Sequence, residues 1–141
     1  MQKEFIVKKD IHIPKSTDAY VAALKEWNED FQEDSWYAYL INTSNKPLDM
    51  VLVVSKAYGT INGEMRKTGT FRHAFPKVEA NSSIKIELLE NNVLQLNNEF
   101  AVTYFMENQL YDKKFVFKTN SINDRALSDL PTLDKRGVLL K

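Results

Sequence analysis

The segment WYAYLINTSNKPLDMVLVVS (residues 36–55) decides the expected fold. In its first seven residues, Tyr37, Tyr39 and Ile41 recur at every second position, which is the period of a β-strand. Its last eight residues are almost continuously apolar, with Leu52 on one face and Val53 on the other, as in a strand at the centre of a sheet. The polar residues 43–47 between the two runs are typical of a turn. The segment therefore predicts two antiparallel strands joined as a hairpin.

Strand periodicity continues downstream. Residues 68–78 alternate around Phe71, His73 and Phe75, and Pro76 marks the end of a strand or an edge position. Residues 84–88 alternate between apolar and charged side chains, and residues 100–106 and 110–118 predict a second hairpin closed by residues 107–109. Residues 57–69, which hold three of the four glycines, predict a long loop or the tip of an extended hairpin. Turn signals recur roughly every eight to twelve residues, which favours an antiparallel β-sandwich of about six to seven strands.

The residues upstream of this segment show a different spacing. Tyr20, Leu24, Trp27 and Phe31 recur at intervals of four, three and four, which would place them on one face of a helix. Residues 18–34 are therefore predicted to form an amphipathic helix, and the weakly alternating residues 1–15 a preceding strand. The expected fold class is mainly β, of the α+β type: an antiparallel β-sandwich with one N-terminal amphipathic helix.

We expect a single domain over residues 1–141, because this length is typical of one domain. Residues 1–35 would hold the N-terminal strand and helix, residues 36–118 the antiparallel β core, and residues 119–141 a C-terminal tail. The tail is rich in apolar residues for a chain end, and two roles stay open. It packs on the core as an extra strand, or it docks on another chain through an interaction segment that comprises Leu133, Arg136, Val138, Leu139 and Leu140.

The composition excludes several kinds of chemistry. There is no cysteine, and there are only two histidines and four glycines, so thiol catalysis, disulfides, thiolate metal sites and glycine-rich phosphate loops have no basis. We therefore expect no enzymatic activity, no catalytic residues, no cofactor and no metal site. No apolar run is long enough for a signal peptide or a membrane helix, which predicts a cytoplasmic protein without a membrane partner.

The charge is balanced overall, with 19 basic and 19 acidic side chains, which argues against a dedicated nucleic-acid binder. Two groups of basic residues nevertheless lie near Phe71, Phe75, Tyr111 and Phe115. If their strands were neighbours, they would form a modest positive surface for a protein or RNA, on which the aromatic rings could stack bases. In the alternative interpretation the aromatic residues are core, and the lysines protect an exposed strand edge. The candidate surface comprises Arg66, Lys67, Arg72, His73, Lys77, Lys113, Lys114 and Lys118.

Five segments carry a resemblance to a known family: WYAYLINTSN (36–45), LDMVLVVSK (48–56), LQLNNEFAVTYF (94–105), DKKFVFKTNSIN (112–123) and LPTLDKRGVLLK (130–141). Over nearly its whole length the chain resembles a family of short, uncharacterised bacterial proteins, some of which carry a phenylalanyl-tRNA synthetase label. The label would imply an accessory, RNA-facing role rather than aminoacylation. The segment FRHA (71–74) supplies Arg72 without the glutamate of the second synthetase motif, and no GxGxxR sequence occurs.

The function that the sequence favours is a non-catalytic protein-interaction or scaffold module, because no motif with a catalytic mechanism occurs. Two alternatives stay open: a tRNA- or RNA-associated accessory protein, and a β-sandwich that binds a small molecule. An exposed apolar patch would support the first function, salt-dependent RNA binding the second, and a pocket with converging polar groups the third.

Overall fold

The computed structural model describes residues 13–14 and 16–140. Most of the strand predicted for residues 1–15, including Phe5, Val7, Ile11 and His12, therefore lies outside the described residues. Within the described ranges there are two short 3-10 helices, Asn91–Val93 and Asp124–Ala126, and ten strands. The strands are β1 (Ala19–Asn28), β2 (Glu33–Asn42), β3 (Leu48–Ile61), β4 (Glu64–Lys67), β5 (Phe71–Val78), β6 (Ser82–Leu89), β7 (Asn97–Met106), β8 (Gln109–Phe117), β9 (Ser128–Asp129) and β10 (Arg136–Leu140).

The strands form two antiparallel sheets that enclose one main core. Sheet I has the order β6-β2-β1-β10-β9, and sheet II has the order β4-β3-β7-β8 with β5 also paired to β3. Both sheets contribute to the core, in which Val21, Leu40, Val53 and Phe100 are at most 1% exposed. The predicted mainly β class with antiparallel sheets is confirmed, and the arrangement is consistent with a β-sandwich.

The predicted N-terminal helix is wrong. The structure has β1 and β2 in its place, paired along their whole lengths and joined by residues 29–32. Trp27 and Phe31, which the helical spacing assigned to the buried face, are 54% and 52% exposed. Val21 packs in the main core, whereas Ala22 and Leu24 pack on the other side of sheet I. Because β1 is buried on both faces, its apolar residues do not show the period of two that would have identified a strand.

The turn between β1 and β2 depends on Asn28. Its Oδ1 accepts hydrogen bonds from the backbone N–H groups of Asp30 at 3.0 Å and Phe31 at 3.3 Å. Gln32 then adopts a left-handed conformation with φ of 53°. An asparagine that bonds the backbone two and three residues ahead favours a turn over a continuing helix. The acidic residues Glu29, Asp30, Glu33 and Asp34 therefore lie at or next to the tip of a β-hairpin.

The predicted pairing of the first two strands is also wrong. β2 lies between β1 and β6 in sheet I, whereas β3 lies between β5 and β7 in sheet II, so residues 43–47 cross from one sheet to the other. The predicted central position of β3 is confirmed. Ten strands exceed the expected six to seven, because β1 replaces the helix, β4 forms in residues 57–69 as the tip of an extended hairpin, and the tail contains β9 and β10.

Two tight hairpin turns in sheet II use left-handed residues. The turn between β3 and β4 has Asn62 at φ 52° and Gly63 at φ 80°, and the turn between β7 and β8 has Glu107 at φ 51° and Asn108 at φ 66°. Two successive positive φ angles are typical of the type I′ turn, whose twist matches that of the paired strands. The predicted hairpin over residues 100–118 is thereby confirmed.

The C-terminal part of the chain covers the outer face of sheet I. β10 pairs with β1, and Leu130 packs with Ala22, Leu24 and Ile41 in a second buried cluster. The outer face of sheet II is different, since Leu52 on that face is 38% exposed. No helix within residues 13–14 and 16–140 has both the length and the apolar character needed to cross a membrane.

Candidate functional site

The predicted basic residues lie at opposite edges of sheet II. One group is on β4 and β5, the other is on β8 and just after it, and β3 and β7 lie between them. Because neighbouring strands are about 4.8 Å apart, the two edges are roughly 14 Å apart, and the two groups do not form one continuous patch. His73 and Lys113 are half-buried on the inner side of the sheet, opposite Val53 and Val102. The other six candidate residues are exposed: Arg66, Lys67, Arg72, Lys77, Lys114 and Lys118.

The aromatic residues near these basic groups belong mostly to the core. Phe115 is 2% exposed, and Phe75 and Tyr111 pack against the main core. The Nζ of Lys113 lies 5.0 Å from the centre of the Phe115 ring. Of the four aromatic residues considered for base stacking, Phe71 alone is largely exposed, at 54%. The structure therefore provides no stacking platform from these side chains.

The predicted interaction segment forms part of this chain's own fold. Val138 is 7% exposed in the main core, Leu140 packs against that core, and Leu133 and Leu139 pack on the second cluster. Arg136 donates from Nη2 to the carbonyl oxygen of Leu127 at 3.0 Å and lies 3.7 Å from a carboxylate oxygen of Asp129. These contacts agree with the first of the two roles predicted for the tail, in which it packs on the core as an extra strand.

The outer side of sheet II carries a largely apolar surface, which we call the open face. Val54 lies between Arg72 and Ala101 in the register, and Leu52 lies between Ala74 and Thr103. A solvated sheet face normally carries polar side chains, so this apolar centre makes the face a candidate surface for contact with another molecule. The open face consists of six exposed or half-buried residues: Leu52, Val54, Ala74, Ala101, Thr103 and Phe105.

One row of the open face has a cation at each end. Arg72, Val54, Ala101 and Lys114 are successive cross-strand partners from β5 to β8. Neither Arg72 nor Lys114 forms an ion pair with any other described residue. The acidic residues of this side of the sheet lie in other rows, at Asp49, Glu99 and Asp112.

A cavity of about 350 Å³ opens at the seam between the sheets, and we call it the seam cavity. At its polar end, Oε1 of Glu87 on β6 accepts hydrogen bonds from the Ser55 hydroxyl and from Nε2 of His73, both at 2.7 Å. An ionised carboxylate can only accept hydrogen bonds, so Nε2 of His73 carries a proton. Ser55 and His73 come from sheet II and Glu87 from sheet I, so this network joins the two sheets.

The three side chains do not form a nucleophilic triad. In such a triad the histidine lies between the serine and the carboxylate and takes the proton of the serine hydroxyl. Here Ser55 and His73 both donate to the same oxygen of Glu87. The geometry therefore orients the carboxylate rather than activating Ser55.

No sequence pattern pointed to Glu87. The alternation of residues 84–88 assigned its side chain to the solvent-facing side, but the pairing of β6 with β2 shifts register between Ala38 and Tyr39. Lys85 stays opposite Tyr39 on the outer face, whereas Glu87 comes to lie opposite Ala38, which faces the core. A bulge of this kind changes which residues face inward, and only the partner strand reveals it.

A second polar network lies on the outer face of sheet I, around Glu26. Its Oε2 accepts hydrogen bonds from the Tyr39 hydroxyl at 2.5 Å and Lys135 Nζ at 3.2 Å, and its Oε1 lies 2.8 Å from Lys85 Nζ. Burial raises the pKa of Glu26, but the hydrogen bonds from Lys85, Tyr39 and Lys135 outweigh it, so the pKa lies below its ordinary value of 4.5. Burial and the adjacent carboxylate raise the pKa of Tyr39. Through Lys135, the network attaches the C-terminal segment to sheet I.

Glu26→Gln is expected to lower the free energy of unfolding by roughly 1–2 kcal/mol at pH 7, because charge-assisted hydrogen bonds become weaker neutral ones. A lowered pKa in the folded state stabilises the fold above the unfolded pKa, and this contribution is lost as the pH falls through the folded pKa. The deficit of the variant should therefore shrink as the pH falls below 4.5. Urea unfolding of both proteins at pH 7 and at about pH 3.5 measures this change.

The matched control is Glu33→Gln on the exposed β1–β2 hairpin, where Glu33 forms no ion pair with another described residue. We expect this control to change the stability by less than about 0.5 kcal/mol at both pH values. If Glu26→Gln lowered the free energy of unfolding equally at both pH values, the charge of Glu26 would not contribute to stability.

No group of three or more His, Cys, Asp or Glu residues in the described part of the chain could hold a metal ion. A scan against protein-family models finds no match, and a search of curated proteins finds no similar sequence. The resemblance to the short bacterial proteins stays a prediction. The geometry that bears on function is therefore that of the open face and the seam cavity.

Proposed function

We propose that the chain is a protein-interaction module whose open face binds an apolar segment of a partner protein, flanked by carboxylates. The proposal is carried by the row Arg72, Val54, Ala101, Lys114, in which exposed cations frame an apolar centre. Burial of the apolar centre would supply affinity, and the cations would favour an acidic partner over a basic one.

The contrast between the two outer faces supports this function. On sheet I, Ala22 and Leu24 are 0% and 1% exposed, because Leu130 and Leu133 of the same chain pack over this face. That cover is held at its margin by the ion pair of Lys135 with Glu26 at 3.2 Å. A partner segment on the open face would repeat this arrangement with the charges reversed, since the cations belong to the sheet.

The spacing of the cations constrains the partner. Arg72 and Lys114 are three strands apart, which is roughly 14 Å. A helix rises 1.5 Å per residue, so a helix lying across the strands would place its two carboxylates about nine residues apart. Apolar residues at helical spacing between them would contact Val54 and Ala101. We therefore expect an amphipathic segment with acidic residues near both ends of its apolar stripe.

An RNA-associated function has less support from the same surface. Phe105 is the only aromatic residue among the six residues of the open face. Single-stranded RNA is usually held by several aromatic rings together with a continuous basic groove. The formal net charge of zero and the separation of the two basic groups favour a protein partner.

The experiment that tests this function is photo-crosslinking from the open face. The full chain carries a benzophenone amino acid at Val54, is incubated with extract of its native cells, and is irradiated. We expect a cross-linked partner peptide with apolar residues at helical spacing between carboxylates. Leu52→Glu and the double charge reversal Arg72→Glu, Lys114→Glu should each lower the yield at least tenfold, because one buries a charge and the other repels the carboxylates.

Lys118→Glu, an exposed basic position beyond β8, is the matched control and should leave the yield within about twofold. Leu52, Arg72 and Lys114 all point away from the core, so circular dichroism should show the same fold in each variant. Cross-links to RNA, to a second copy of the chain, or to a peptide without carboxylates would each overturn the proposal. Equal yields from all variants would overturn it as well.

A further inference from the structure

The seam cavity combines an apolar wall with a polar end. Phe100, which is 1% exposed, lies in its wall together with Val93 and Ala57, and Phe71 at 54% exposure also lines it. The polar end is Glu87 with its two hydrogen-bond donors. A volume of about 350 Å³ lies near the lower end of the range of small-molecule sites, which is roughly 300–1,000 Å³. The cavity therefore has the size and the mixed lining of a site for a small organic molecule.

Two of the three Lys and Glu residues that line the cavity are acidic. Glu87 and Glu90 both line the cavity. Lys56 is also a lining residue, but its Nζ lies 3.7 Å from Oε2 of Glu99 and 6.0 Å from the centre of the Tyr58 ring. Its cross-strand partner is Glu99, on the outer side of the sheet, so its ammonium group is directed away from the cavity. A ligand inside would thus meet carboxylates rather than a neutralising lysine.

Glu87 keeps one carboxylate oxygen free for a ligand. Ser55 and His73 both donate to Oε1, and no described residue donates to Oε2. Ser55 is 2% exposed, so the donor that orients the carboxylate is itself firmly buried. A carboxylate held by two donors cannot turn easily, which lowers the entropic cost of placing a ligand's donor against it.

We propose that the seam cavity binds a small primary amine with an aromatic or branched aliphatic body. The ammonium group would donate to Oε2 of Glu87, and the apolar body would lie along Phe71, Val93 and Phe100. An ammonium group meeting a partly buried carboxylate forms a charge-assisted hydrogen bond, which is stronger than a neutral one. A carboxylic acid of the same shape would instead be repelled by Glu87 and Glu90. This site is separate from the open face and does not depend on it.

The test is a titration followed by amide NMR shifts, with three probes of one shape: 2-phenylethylamine, 2-phenylethanol and 3-phenylpropionate. We expect the amine to shift the amides of Ser55, Ala57, Phe71 and Glu87 with Kd below about 1 mM. The alcohol should bind at least tenfold more weakly, and the acid should cause no saturable shift. Glu87→Gln should weaken amine binding at least tenfold, because the amide keeps an acceptor oxygen but loses the charge.

Three further variants keep the result interpretable. Phe71→Ala removes a largely exposed ring, which should leave the fold intact and weaken amine binding several-fold. Glu64→Gln on β4 and Leu52→Glu on the open face should bind the amine as the unmodified chain does, since neither residue lines the cavity. Equal binding of amine and acid, unchanged binding by Glu87→Gln, or shifts confined to the open face would overturn the proposal. A failure here would leave the crosslinking result from Val54 unaffected.

Discussion

Asn42→Asp is expected to destabilise the fold by about 3–5 kcal/mol, because a buried carboxylate would replace an amide that holds two chain segments together. Asn42 is 0% exposed. Its Nδ2 donates to the carbonyl oxygens of Lys46 at 2.8 Å, Glu79 at 3.0 Å and Val78 at 3.4 Å. An ionised aspartate has no proton to donate, so three carbonyl oxygens would face a negative charge. Urea unfolding at pH 7, followed by tryptophan fluorescence, measures the loss.

The position of Asn42 explains why this effect should be so large. It ends β2, and its Oδ1 accepts hydrogen bonds from the backbone N–H of Ser44 at 2.9 Å and from the Ser44 hydroxyl at 2.7 Å. The same side chain thus fixes the crossing from sheet I to sheet II and the connection between β5 and β6. Both connections bring the sheets together, so their loss should weaken the whole sandwich.

Asn45→Asp is the matched control, because it is the same chemical change at an exposed position of the same turn. It should alter the unfolding free energy by less than about 0.5 kcal/mol. Asn42→Ala removes the donors without adding a charge and should cost about 2–3 kcal/mol. If Asn42→Asp lowered the free energy of unfolding by less than about 1 kcal/mol, water would be able to replace the hydrogen bonds of the Asn42 amide at little cost.

The parts of the fold that the sequence predicts are those in which one strand face is buried. In residues 100–118 apolar side chains recur with the period of a strand, and the turn at Glu107 and Asn108 supports the pairing. β1 violates that condition, because Ala22 and Leu24 are covered by the C-terminal segment while Val21 packs in the core. With both faces apolar, the remaining spacing of Leu24 and Trp27 imitates a helix. The cover comes from residues more than 100 positions away, so no local pattern records it.

The candidate sites depend even more on long-range pairing. Arg72 and Lys114 acquire a common role only because β3 and β7 bring Val54 and Ala101 between them. Glu87 faces the seam cavity only because of the register shift opposite Ala38. The sequence shows the chemistry of each side chain, but it does not show which strands are neighbours.

Gly137→Val is expected to destabilise the fold by about 3 kcal/mol or more, because β10 lies too close to β1 and to Leu130 for any side chain at this position. A Cβ at Gly137 would lie 2.7 Å from the carbonyl oxygen of Ala23, 2.9 Å from Cδ1 of Leu130 and 3.2 Å from Cβ of Leu24. The first of these contacts is with backbone, which cannot move unless β10 separates from β1. The strand pairing and the second buried cluster should therefore loosen together.

The smaller substitution of glycine by alanine should change the free energy of unfolding in opposite directions at a crowded and at an open position. Replacing glycine by alanine at an open position, where alanine can adopt the same backbone conformation, usually stabilises a fold by about 0.4–1 kcal/mol, because the unfolded chain loses freedom. Gly69→Ala meets no atom within 4 Å and should follow this rule or be neutral. Gly137→Ala should instead cost about 1–3 kcal/mol, the usual range for overpacking. Urea unfolding of both variants separates the two cases, and equal midpoints would show that β10 can move away from Ala23 without weakening the fold. A large loss confined to Gly137 would show that the C-terminal strand is an integral part of sheet I.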